Sequence, residues 1–127
     1  MTTDHGGAAG PPARPVGPYT PVVRAGPWVI CSGQVGLRDG ALVDGLAAQV
    51  TQAIANISAL LAGEGAALDA VVKTTVFLAD IADYRAMNDA YVAAFGDHRP
   101  ARSAFSVAGL PLGARVEIEA WAYLGSG

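Results

Sequence analysis

The chain has 127 residues, 52% of them hydrophobic and only 15% charged, with a formal net charge of −3 at pH 7. That length suits one compact domain, and the acidic balance lacks the clustered Lys and Arg that displace counterions from a phosphate backbone, so nucleic acid is not an expected partner. Polar residues or glycine interrupt every apolar run before the roughly 18–20 residues of a membrane span, and no basic segment precedes an apolar core at the amino end, so neither a membrane partner nor a secretory leader is expected.

Residues 1–18 are dense in Gly and Pro and predict a mobile tail, followed by a single domain over 19–127. Val22–Arg24 and Trp28–Ser32 are β-prone runs around Ala25-Gly26-Pro27, the pattern of a hairpin. Arg38-Asp39-Gly40 is a second turn signal, with Ala41–Val43 as a short strand. From Asp44 the period changes: Leu46, Val50, Ile54, Ile57 and Leu61 mark a helix that Asp44 can cap and Gly63 or Gly65 can end. Val71–Leu78 is β-branched and aromatic-rich, and reads as a central strand. After Asp80–Asp83, the residues Tyr84, Met87, Tyr91, Ala94 and Phe95 form a second helical stripe of core type, which stops at Gly96. Two strands follow, Ala101–Ala108 and Arg115–Tyr123.

The expected architecture is α+β, a mixed sheet with two helices packed on one face. A single helical layer leaves the other sheet face uncovered, so self-association through that face is the physical expectation.

The chemistry-bearing residues are few. Alternation puts Arg102, Ala104 and Ser106 on one face of their strand, where small neighbours leave the Arg102 guanidinium room to clamp a carboxylate through paired hydrogen bonds. An ordinary salt bridge is the plainer reading of the same residue. Glu117 and Glu119 share the face opposite Val116, Ile118 and Ala120; burial and mutual repulsion would raise the pKa of either carboxyl toward a useful acid–base range, whereas a solvated face would leave both ordinary. Cys31-Ser32-Gly33-Gln34 closes a strand at a glycine, where backbone amides and a small hydroxyl can approach a ligand. Ser32 has no general-base histidine in prospect, which argues against a Ser-His-Asp hydrolase. His5 and His98 are the only histidines and Cys31 the only cysteine, so neither a metal site nor an intrachain disulfide is expected. Cys31 reads as a buried, inert thiol in a reducing compartment, with the cytoplasm as the expected location.

Several segments together resemble the Rid family (reactive intermediate deaminases, also called the YjgF family): Gly17-Pro18-Tyr19, Ile30 to Gln34, Lys73 to Leu78 with Asp80, Met87-Asn88 with Tyr91 and Phe95, Pro100 to Ser103, and Leu110-Pro111 leading to Val116 through Ala120. The resemblance runs from about residue 15 to 124 and implies a chorismate-mutase-like fold assembled as a homotrimer, with sheets facing inward and a ligand cleft at each subunit junction. It implies hydrolytic deamination of small imine or enamine acids, of the 2-aminoacrylate and 2-iminobutyrate type, to 2-keto acids and ammonia, without metal or organic cofactor. Arg102 would then hold the substrate carboxylate and Glu117 orient or activate the attacking water. Tyr19, Ser32, Gly33 and Asn88 match cleft-lining positions. Ala104 stands where many members that hydrolyse these imines carry a cysteine, which removes a thiol from beside Arg102 and widens the cleft.

That departure keeps two other readings open, a protein that binds small acids without turnover and a deaminase of a larger unsaturated amino acid such as 2-aminomuconate. A ribonuclease activity attached to some relatives finds no basic groove, aromatic stacking series or histidine pair here.

Overall fold

A computed structural model describes residues 17–125, so most of the expected amino-terminal tail lies outside the described residues. The elements in chain order are β1 (Val22–Ala25), β2 (Trp28–Val35), β3 (Leu37–Arg38), β4 (Ala41–Leu42), α1 (Leu46–Gly63), β5 (Val71–Leu78), α2 (Tyr84–Phe95), β6 (Ala101–Ser106) and β7 (Val116–Tyr123). Single 3-10 turns occupy Leu68–Ala70, Ile81–Asp83 and Pro111–Gly113.

Five strands form one mixed sheet in the order β1-β2-β7-β5-β6, with β5 and β6 parallel and the other pairs antiparallel. β3 and β4 form a separate two-stranded hairpin. The β5-α2-β6 connection follows from its geometry: parallel neighbours need a crossover, and α2 supplies it. The expected mixed α+β fold is present, with the two helices covering one face.

The helix-facing side of the sheet is the core. α1 buries Leu46, Val50, Ala53, Ile54, Ile57, Leu60 and Leu61, the predicted three-and-four spacing, against Val29, Cys31, Ile118, Ala120 and their neighbours. Each such Leu or Ile contributes about 1.5–3 kcal/mol on burial. α1 is long and apolar enough to cross a membrane by length and composition, because alanines fill its outer side, but its apolar stripe lies in this core. α2 adds Met87, Tyr91 and Phe95. Buried Gln49 is satisfied on both sides of its amide: Nε2 donates to the Val43 carbonyl at 3.1 Å and Oε1 accepts from the Arg115 amide at 2.9 Å. It thereby ties α1 to the start of β7. Gly36 lies so close to this helix that a Cβ would fall 2.7 Å from the Gln49 Cα.

Four details differ from the sequence reading. The helix begins after Gly45, and no side chain caps it, so Asp44 does not play the expected part. β2 runs on to Val35 across a register shift between Cys31 and Gln34. β6 stops at Ser106, the partner of the last β5 residue, Leu78. Tyr84 is not core but 40% exposed, at the first residue of α2, where its hydroxyl meets Arg102 of the edge strand β6.

Candidate active site

Cross-strand register assigns each candidate to a face. Ala104 pairs with Val76 and Val76 with Ile118, so Arg102 and Ala104 of β6 look toward the helices. Phe105 pairs with Phe77 and Phe77 with Glu117, so Glu117 looks toward the uncovered face. Within one chain the two proposed reaction partners therefore lie on opposite faces of the sheet.

On the helix-facing side, Arg102 is half-buried against α2. Its Nη2 donates to Asn88 Oδ1 at 2.8 Å and to the Tyr84 hydroxyl at 3.2 Å, and Nη1 points at Met87 Sδ at 3.7 Å. The guanidinium carbon lies 4.8 Å from the centre of the Tyr91 ring and 5.7 Å from that of Tyr84, within cation–π range. The Tyr91 hydroxyl shares a 2.7 Å hydrogen bond with fully buried Thr74, and burial raises its pKa. Helix spacing explains the group, since Tyr84, Asn88 and Tyr91 at i, i+4 and i+7 share one side of α2. Among the described residues Arg102 has no acidic partner; its neighbours are two phenols, an amide and a thioether. The salt-bridge reading of Arg102 is thus not what the structure contains. Ala104 lies one step along the same face and packs against the core.

On the uncovered side, Tyr19, Ser32, Gly33, Pro111, Glu117 and Glu119 line an open cavity of about 320 Å³. The register shift in β2 leaves Ser32 and Gly33 out of the ladder with β7. Ser32 is committed to the chain entry: its hydroxyl donates to the Thr20 carbonyl at 2.7 Å and its amide to the Pro21 carbonyl at 2.8 Å. This fixes Tyr19 at the cavity mouth and means that Ser32 acts here as a brace. Gly33 also makes room for a side chain. The Glu117 carboxyl packs where a Cβ would stand, with its Cδ 2.8 Å from that position. Glu117 is half-buried, and its pKa is raised, first by loss of solvation and then by the Glu119 charge.

Cys31 belongs to neither group. It is buried under α1, and burial with the nearby Glu64 charge pushes its thiol pKa up to about 12. Among the described residues no group of three or more His, Cys, Asp or Glu stands together as metal ligands do.

The structure thus collects Tyr19, Ser32, Gly33 and Glu117 on one side and Asn88, Arg102 and Ala104 on the other. Sequence reasoning missed Tyr84, Tyr91 and Thr74 around Arg102, and Pro111 at the cavity. The helical spacing of Tyr84, Asn88 and Tyr91 was available as a signal but read as core.

A mixed sheet with two helices on one face defines an α+β class, and comparison with known proteins gives that fold a family. The model of the family described as endoribonuclease L-PSP matches residues 11–124. The chain belongs to this family, also known as YjgF or Rid. It is 42% identical to the human 2-iminobutanoate/2-iminopropanoate deaminase over 113 residues, which cover 87% of this chain and 82% of that one. Among solved structures, RidA from the Antarctic bacterium Psychrobacter sp. superposes with a TM-score of 0.84 at 40% identity, covering 88% of this chain and 92% of the other. Escherichia coli TdcF with bound serine superposes with a TM-score of 0.83 at 32% identity, covering 88% and 91%.

Proposed function

We propose that the protein is a hydrolytic deaminase of small imine and enamine acids, converting them to 2-keto acids and ammonia. The observation that carries this reading is Arg102: a half-buried cation fixed by neutral partners alone is poised to take its anion from a ligand. Relatives named as 2-iminobutanoate/2-iminopropanoate deaminases support the substrate class.

In this reading Arg102 holds the substrate carboxylate, and an enamine first tautomerises to the imine, taking a proton at its β-carbon and losing one from its nitrogen. Water then adds to the electrophilic C=N carbon. As the C–O bond forms, Glu117 accepts a water proton and the C=N pair moves to nitrogen, which is protonated. In the collapse of the tetrahedral adduct the hydroxyl gives up its proton, Glu117 returns one to the nitrogen, the C–N bond breaks as the C=O bond forms, and ammonia leaves the keto acid behind. A carboxyl whose pKa is raised suits a shuttle that must both take and return a proton near neutral pH. The reaction needs neither a metal nor an organic cofactor, because the imine carbon is already electrophilic.

Since Arg102 and Glu117 lie on opposite faces of one chain, the reading requires a second copy. The uncovered sheet face is suited to one: Phe105 (45% exposed), Trp121 (41%) and Tyr123 (45%) lie open there, Phe77 stacks edge-on against Phe105, and Trp28 packs edge-on against Trp121 and Tyr123. A homotrimer, with each cleft formed by the Glu117 cavity of one copy and the Arg102 cluster of the next, meets both needs.

The test is keto-acid formation from imines generated in situ by an amino-acid oxidase, with semicarbazide trapping the surviving imine. Wild type should accelerate loss of the trapped adduct over a no-protein control, and Arg102→Ala should not. Equal rates for wild type and control across a panel of side chains would overturn the proposal.

A further inference from the structure

The Arg102 cluster contains a hydrogen-bond donor that the reading above does not use. Arg102 Nη2 carries two hydrogens and meets two acceptors, Asn88 Oδ1 at 2.8 Å and the Tyr84 hydroxyl at 3.2 Å. The Tyr84 oxygen therefore accepts, and its own proton points elsewhere. No acceptor for that proton stands among the described residues, and the side chain is 40% exposed at the first residue of α2. A phenol that accepts from a cation is polarised into a better donor.

The two tyrosines around Arg102 are consequently different in kind. Tyr91 is buried, and its hydroxyl is engaged by Thr74, so it can only support the guanidinium from beneath. Tyr84 stands at the solvent end of the same helix face, beside the Arg102 head, with its O–H unspent. The hydroxyl oxygen is 3.2 Å from Nη2, within reach of an anion held by the guanidinium.

We propose that Tyr84 is a second substrate-contacting residue, its phenol donating a hydrogen bond to the carboxylate that Arg102 holds. The assignment rests on the carboxylate-clamp reading of Arg102 and adds to it a neutral donor that selects for an anion. Asn88, by contrast, spends its amide oxygen on Arg102 and serves to position it. The ligand group that fits is a carboxylate, because the donor and the cation are adjacent.

The test uses the full chain as wild type, Tyr84→Phe and Arg102→Ala, with two stable probes, 2-oxobutyrate and its neutral carboxamide, followed by NMR titration. Imine turnover is measured in parallel. Tyr84→Phe keeps the ring over the guanidinium and removes the hydroxyl, that is, its donated proton together with the 3.2 Å contact it accepts from Arg102 Nη2, while Asn88 Oδ1 still holds that nitrogen. The variant's affinity for 2-oxobutyrate should fall about tenfold, the magnitude of one charge-assisted hydrogen bond. KM for the imine should rise by a similar factor with kcat within about twofold, the pattern of lost uniform binding. Carboxamide binding should be the same in wild type and Tyr84→Phe, and the melting temperature unchanged. Unaltered acid affinity in Tyr84→Phe, with Arg102→Ala defective, would overturn the Tyr84 assignment alone. Equal losses for acid and carboxamide would also overturn it, by making Tyr84 a packing residue. If wild type binds no keto acid and Arg102→Ala turns over imine normally, the clamp reading falls and this proposal with it.

Discussion

The two halves of the candidate site are built in opposite ways. The Arg102 cluster is prefabricated, with every neighbour of the guanidinium supplied by α2 and its orientation backed by a buried Tyr91–Thr74 hydrogen bond. The Glu117 cavity is open, and its reactive group is held chiefly by the missing side chain of Gly33 and destabilised as an anion by Glu119. In the proposed reading one half receives the substrate anion and the other handles protons. The contrast divides the labour between binding and proton transfer, and each variant below should disturb one half while leaving the other intact.

The largest effect belongs to the receptor. Arg102→Ala should abolish keto-acid binding and lower kcat/KM by about a hundredfold or more, the size expected when a paired, charge-assisted contact to the substrate is lost. Arg102→Lys should recover little, because an ammonium cannot reproduce the planar fork. Titration and imine turnover measure both.

Next comes the proton shuttle. Glu117→Gln should lower kcat by about ten- to a hundredfold, the range for loss of a general base, while keto-acid affinity stays within about twofold of wild type. The same variant has a signature in stability. Folding raises the Glu117 pKa, so as pH climbs the unfolded chain releases its proton first and the native state loses stability between the ordinary carboxylate pKa and the raised one. Thermal melts should therefore show Glu117→Gln more stable than wild type at neutral pH and equal to it in acid below both values.

Gly33→Ala sharpens the comparison further. The added Cβ would overlap Glu117 Oε2, so the carboxyl must move. Turnover should fall by about tenfold, in line with misplacement of a catalytic group, with the Arg102 half and its keto-acid affinity untouched. The smallest effect is that of Glu119→Gln, which removes the secondary cause of the raised Glu117 pKa. The acidic limb of the kcat/KM profile should shift to lower pH, only in part, because loss of solvation remains.

How much of this was legible in the sequence varied with the range of the interaction. β5 and α2 appear with the predicted bounds because their patterns are strong and local: an unbroken β-branched run, and a stripe ended by Gly96. Strand alternation groups Arg102 with Ala104 and Glu117 with Glu119 within their own strands, but that the two pairs lie on opposite faces of the sheet follows only from the cross-strand register, which no local pattern carries. Asp44 failed as a cap because the helix entry turns at Gly45, whose φ of 94° places the chain where no Asp44 side chain reaches the first turn. Tyr84 has the period of a core residue yet is 40% exposed at the first residue of α2, because periodicity reports the side of a helix and not how far along it the core extends. The seat that Gly33 gives Glu117 joins residues distant in sequence, and nothing local announces it.

The central claim is that the two halves act together only across copies of the chain, and mixing tests it directly. Arg102→Ala and Glu117→Gln, each strongly impaired alone, are unfolded together in equal amounts and refolded as a mixture, and imine turnover is measured. In a ring of three, one junction in four on average joins an intact Arg102 half to an intact Glu117 half, so about a quarter of wild-type activity should return. Activity no greater than the sum of the two separate variants would contradict the account.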